Sequence, residues 1–147
     1  MTYLNLEGCS IRGNWIVNCL KNPNLINLTV LHLSINFYLA DNEISDIINA
    51  SFWEKIKTAN FSNSKHLINH LIVELVDKKN LTNLTRLYLR DCKYLNDDTL
   101  IRIANAPLHI NLLDLSFCTT ITDAGIYALI NSRFANELTH VDLWGCD

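Results

Sequence analysis

Glycine and proline are scarce in this chain, at four and two among 147 residues. So few glycines exclude the loops that cradle nucleotide phosphates. Neither a Gly-x-Gly-x-x-Gly turn, nor a Walker-type loop, nor a Gly-x-Ser-x-Gly elbow is present. An excess of positive charge is also missing: 12 Lys and Arg stand against 15 Asp and Glu, with the two signs interspersed. That pattern leaves no basic footprint for nucleic acid and no polybasic patch for a membrane. No uninterrupted apolar run approaches the roughly 18 residues that span a bilayer. The amino terminus lacks a charged region followed by an apolar signal core. The composition therefore points to the cytoplasm, or the nucleus, and to neither nucleic-acid nor membrane partners.

What the chain has instead is a phrase of nine residues, written six times. It reads apolar, two variable, apolar, one variable, apolar, two variable, then Cys, Asn or Ser. The copies start at Met1, Leu28, Ile56, Leu84, Ile110 and Leu138, with spacings of 27, 28, 28, 26 and 28 residues. A fixed period of that length marks a solenoid, in which each unit buries its apolar face against its neighbours. One repeat domain over residues 1–147 is the expectation. Because the first and last phrases coincide with the ends of the sequence, the expectation extends to a longer array or an oligomer formed through uncapped ends.

Four of the five cysteines (Cys9, Cys92, Cys118, Cys146) occupy the last position of the phrase, where Asn36 and Ser64 stand in other copies. Cys, Asn and Ser share a small polar group able to hydrogen-bond backbone at a strand-to-loop turn. Reduced structural thiols are thus expected, with Cys19 a buried helix residue.

Within a phrase, alternate apolar residues such as Leu87 and Leu89 share one strand face, and Arg86, Tyr88 and Arg90 share the other. Between phrases the spacing becomes helical. The recurring apolar sets are Leu39, Leu67, Leu95 and Ile121; Ile44, Ile72, Leu100 and Ile126; Ile47, Leu75, Ile103 and Leu129; and Ile48, Val76, Ala104 and Ile130. Asp41, Asn69, Asp97 and Asp123 precede these stripes and are placed to cap helix N–H groups. Ile11, Ile16, Cys19 and Leu20 fit the stripe after a one-residue deletion, and Trp53 falls where a core residue is expected. The fold class that follows is α/β: about six parallel strands lining a concave face, with helices on the convex side.

The phrase ending in Cys118, followed by Ile121-Thr122-Asp123-Ala124-Gly125-Ile126, resembles the cysteine-containing class of leucine-rich repeats. Leu95-Asn96-Asp97-Asp98-Thr99-Leu100 is a looser copy. The resemblance implies an open horseshoe and a protein-binding role, often as the substrate-receptor arm of an SCF-type ubiquitin ligase joined to an F-box. The third copy departs from the pattern with Ala59 and Phe61, and no F-box-like segment precedes the repeats in this sequence.

Chemistry is sparse. His66 and His70 stand four apart but lack the adjacent Glu of a zincin and an evident third ligand. Asp114 and Asp142 share a repeat position without a metal or sugar context. No enzymatic activity, cofactor or metal is expected. The outward strand positions carry more information. They are mostly small and polar in the early copies, whereas the last three present Arg86, Tyr88, Arg90, Leu112, Asp114, Phe117, His140, Asp142 and Trp144. Aromatic residues and Arg dominate binding hot spots, so these are the candidate partner-binding residues for a protein or peptide ligand. Pairing of the arginines with Asp114 and Asp142 is the alternative for that cluster. Two other roles remain open: a microbial effector acting on host proteins, and an assembly spacer.

Overall fold

Six copies of one phrase become six strands in one sheet. The computed structural model describes residues 1–9, 18–34, 48–64, 68–77 and 81–146. The strands are β1 (Tyr3–Asn5), β2 (Val30–His32), β3 (Thr58–Asn60), β4 (Arg86–Tyr88), β5 (Leu112–Asp114) and β6 (His140–Asp142). They lie in sequence order and all pair in parallel. The register never slips: Tyr3, Val30, Thr58, Arg86, Leu112 and His140 form one row across the sheet. Parallel pairing requires a crossover after each strand. Helices α1 (Ile68–Asp77), α2 (Asp97–Asn105) and α3 (Asp123–Ile130) supply it in the later repeats. This is the α/β solenoid expected from the period, with the architecture that the resemblance to leucine-rich repeats implies.

The apolar letters of the phrase form one core cluster. Leu31, Ala59, Leu87 and Leu113 point inward from the strands, and Leu75, Leu100, Ile103 and Leu129 meet them from the helices. Trp53 is fully buried as expected, beside Phe52 with ring centroids 5.0 Å apart and Phe61 at 6.1 Å. These three rings and Ala59 belong to the same buried core cluster.

In the last three repeats the last position of the phrase ties each repeat to the one before it. The thiols of Cys92, Cys118 and Cys146 donate to the carbonyls of Phe61, Leu89 and Leu115, at 3.4, 3.1 and 3.2 Å. Cys9 turns instead to the Glu7 carbonyl, 3.7 Å away. Burial pushes the Cys92 and Cys118 thiols up to about 12, so they remain protonated donors. A second ladder runs through the second phrase position, where Thr29, Thr85 and Thr139 donate their hydroxyls to the carbonyls of Thr2, Lys57 and Asn111. The penultimate phrase position is left-handed wherever it is described: Gly8, Asn63, Asp91, Phe117 and Gly145 all have φ between 53° and 74°. This bend returns the chain from strand to crossover.

Three expectations need correction. Asn96 and Thr122 cap α2 and α3, accepting from Thr99 N and Ala124 N, so the own-helix cap sits one residue earlier than Asp97 and Asp123. Asp97 reaches forward to the next repeat: its carboxylate accepts from Thr122 N at 2.9 Å, Thr122 Oγ1 at 2.6 Å and Gly125 N at 3.2 Å. A Cβ at Gly125 would lie 2.4 Å from Asp97 Oδ1, which is why a helix tolerates glycine there. Asn69 bridges in the same direction, accepting from Thr99 Oγ1 at 3.1 Å. Ile130 is 62% exposed although its counterpart Ala104 is buried, because α2 packs between α1 and α3 whereas α3 has a helical neighbour on one side. Cys19 is half-buried, not buried. Ile11, Ile16, Asn36, Leu39, Asp41, Ile44, Ile47, His66 and Leu67 lie outside the described residues.

Candidate interaction face

The outward positions of β4, β5 and β6 form a grid fixed by the strand register. Arg86, Leu112 and His140 make one row, and Tyr88, Asp114 and Asp142 make the next. Arg90, Ser116 and Trp144 follow at the carboxyl edge, with Phe117 between the last two repeats. Neighbouring strands stand about 4.8 Å apart, so all nine candidate residues fall on one continuous surface.

Phe117, Trp144 and Arg90 form an assembly. The Phe117 and Trp144 rings meet edge to face with centroids 4.6 Å apart, and the Arg90 guanidinium lies 4.6 Å from the Phe117 centroid. Arg90 Nη1 also donates to Ser116 Oγ at 3.2 Å, and Ser116 Oγ donates to Asp114 Oδ1 at 2.6 Å. Asp114 therefore answers Arg90 through a hydroxyl and does not pair with it directly. Gly145 permits the arrangement, since a Cβ there would come within 2.7 Å of the Phe117 ring. Trp144 nonetheless remains 67% exposed. Phe117 sits at φ 60°, a conformation costing a non-glycine residue about 1 kcal/mol. An edge-to-face ring pair offsets that by about 0.5–1.5 kcal/mol, and an exposed cation–π contact by about 0.5–1.

The carboxylates on this face have local work. Asp114 Oδ1 accepts from Ser116 N at 3.0 Å, and Asp142 Oδ1 accepts from Trp144 N at 2.9 Å. Asn5 and Asn60 make the same turn in earlier repeats, with Glu7 N at 2.8 Å and Ser62 N at 2.9 Å. The middle position is thus partly scaffold, because its oxygen holds the strand exit. His140 is exposed, with Nδ1 3.0 Å from Thr139 Oγ1. Leu112 and Tyr88 are half-buried, and Arg86 is exposed and makes no ion pair among the described residues.

At the other end of the same face Tyr3 and His32 stack with ring centroids 5.5 Å apart. Between the two aromatic ends, Ser34, Thr58 and Ser62 are buried and form a low polar floor. Lys57, absent from the sequence-predicted set, is exposed at the second phrase position. Arg86 N donates to its carbonyl at 3.0 Å, so the two residues are neighbours across the strands. The signal was the Lys itself, standing where Thr29, Thr85 and Thr139 stand in other copies. No group of three or more potential metal-ligating side chains occurs among the described residues, and His66 lies outside them. No helix among the described residues is long and apolar enough to cross a membrane.

Residues 107–129 match the family model described as Leucine Rich repeat. Among solved structures, the tropomodulin C-terminal domain of Caenorhabditis elegans is similar, with a TM-score of 0.65 and 14% sequence identity. The match covers 86% of this chain and 79% of that one. At this identity the likeness concerns the fold.

Proposed function

We propose that this chain is a non-catalytic protein-interaction module that holds a protein partner on the strand face of its last three repeats. The observation that carries the reading is the Arg90–Phe117–Trp144 assembly. Trp144 is largely exposed, yet its ring is held in place against Phe117, which Arg90 flanks on its own side. Burying such a pre-positioned tryptophan against a partner gains apolar contact at little ordering cost, the usual energetics of a hot spot. Leucine-rich-repeat architecture supports a protein ligand as the class of partner.

The setting we propose is substrate recognition within an SCF-type ubiquitin ligase, in the cytoplasm or nucleus. It is supported by the resemblance of the Cys118 repeat to substrate-receptor repeats. Co-purification of the full-length gene product with an F-box adaptor and cullin is the expected result, and their consistent absence would remove the ligase setting. The face itself is tested by comparing proteins captured by the unaltered chain, Trp144→Ala and Tyr127→Ala. Tyr127 is exposed on α3, away from the strand grid. Genuine partners should weaken by roughly 2 kcal/mol with Trp144→Ala and be indifferent to Tyr127→Ala. Equal capture by all three would refute the assignment.

A further inference from the structure

The cations of the strand face are not equivalent. Arg90 is answered within the molecule by the Phe117 ring and by the Ser116 relay to Asp114. Lys57 and Arg86 are exposed neighbours at the amino edge of β3 and β4, and neither has an ion pair among the described residues. The ion pairs described there use other groups: Asp91 with Lys93, Asp77 with Arg102 and Glu137 with His109. Thr58 stands directly opposite Arg86 in the register, and Lys57 is one position before it; two unanswered positive charges at the same edge attract an anion there. Asp114 and Asp142 lie toward the opposite edge, beside the aromatic assembly, and repel an anion from there.

Resting on the interaction face proposed above, we infer that its ligand is an extended acidic peptide segment. An Asp or Glu side chain answers Lys57 and Arg86, and an apolar or aromatic side chain of the same segment packs on Phe117 and Trp144. The sheet geometry sets their separation. From Arg86 to the assembly is two strand spacings, about 10 Å, and four residues along the strand, about 13 Å. The diagonal of about 16 Å is spanned by about five extended residues at about 3.3 Å each. The charge pattern also sets direction, because the reversed segment would place its carboxylate against Asp114 and Asp142. Buried Thr58 and half-buried Leu112 stand on either side of Arg86 in its row, so neither projects across the path of an extended segment.

The test is selection of random dodecapeptides displayed on phage against the intact chain, followed by affinity measurements on the selected synthetic peptides at low and high salt. Enriched peptides should carry Asp or Glu about five residues from Trp, Phe or Leu. Arg86→Glu should weaken binding by about tenfold or more and flatten the salt dependence, whereas Trp144→Ala should weaken it comparably with the salt dependence retained. Arg86 and Trp144 are exposed, and Lys57→Ala with Arg86→Ala provides a milder charge-neutral variant whose fold is checked by circular dichroism. Binders without an acidic residue, or sensitive to Trp144→Ala but indifferent to Arg86→Glu, would overturn the acidic reading and leave the interaction face standing. Binders indifferent to both changes would overturn both. A selection that yields no binder overturns the inference that the face reads a short segment, while a folded partner still lost on Trp144→Ala would keep the face itself.

Discussion

Ser64 closes the third phrase at the position where Cys92, Cys118 and Cys146 close the last three, and its buried hydroxyl has no hydrogen-bond partner among the described residues. Repeat equivalence assigns it the Leu33 carbonyl, one period back, but a C–O bond is shorter than a C–S bond and the hydroxyl falls short. A buried hydroxyl left unmade costs about 1–3 kcal/mol. Cysteine at this site would replace that cost with a weak S–H donor of low polarity, the group that reaches its carbonyl at 3.1–3.4 Å in the later repeats. Ser64→Cys should therefore stabilise the fold by about 1 kcal/mol, near the low end of that range because the released penalty is partly lost to repacking. The converse change, Cys118→Ser, should destabilise by about 1–2 kcal/mol by creating the defect where none exists. Urea unfolding under reducing conditions measures both as midpoint shifts at constant slope. Opposite signs for the same two residue types at equivalent positions are required. A Ser64→Cys midpoint equal to or below that of the unaltered chain would show that the ladder has no energetic content.

Two further outcomes follow from the inter-repeat contacts. Burial alone would raise the Asp97 carboxyl, but the hydrogen bonds from Thr122 and Gly125 outweigh it and hold its pKa below the usual carboxylate range. A depressed folded pKa gives stability that is present above the unfolded carboxylate pKa and lost as pH falls through the folded one. Asp97→Ala should accordingly cost about 1 kcal/mol near neutrality, with the gap to the unaltered chain closing in acid; a gap independent of pH would contradict the charged staple. Thiol labelling should separate the cysteines. Exposed Cys9 should react first with a disulfide reagent, and Cys92 and Cys118 only at the rate of opening of their repeats, since both are buried with pKa pushed up to about 12. Rapid labelling of all three under native conditions would argue against buried donors.

Much of the architecture was legible in the sequence because a translational repeat reduces the fold to one unit and its stacking. The inward letters, the strand order and the buried Trp53 all follow from period and alternation. Asp97 was misread because its role depends on the neighbouring repeat: the residue precedes its own helix in sequence but meets the next helix in space. Ile130 was misplaced for a related reason, since the same letter is covered or bare according to how many helices flank it. The left-handed bend could have been read from Gly8, Asn63, Asp91 and Gly145, residues that tolerate it, but Phe117 obscured the pattern. At the candidate site, the sequence identified which side chains share a face. It did not reveal that Asp114 and Asp142 hold strand exits, or that Lys57 joins Arg86, because those roles lie in hydrogen bonds and in a phrase position held by threonine in four copies and by Asn111 in the fifth.

The third repeat has one more consequence, and it concerns temperature. At its boundary with the second repeat, Lys57 replaces the ladder threonine and Ser64 replaces the ladder cysteine, while the adjoining core is filled by Phe52, Trp53 and Phe61. Apolar packing loses strength on cooling, whereas hydrogen-bonded contacts do not depend on that driving force. Among the described contacts, cooling should therefore loosen the junction of the second and third repeats before those of the last three, which carry thiol and carboxylate bridges.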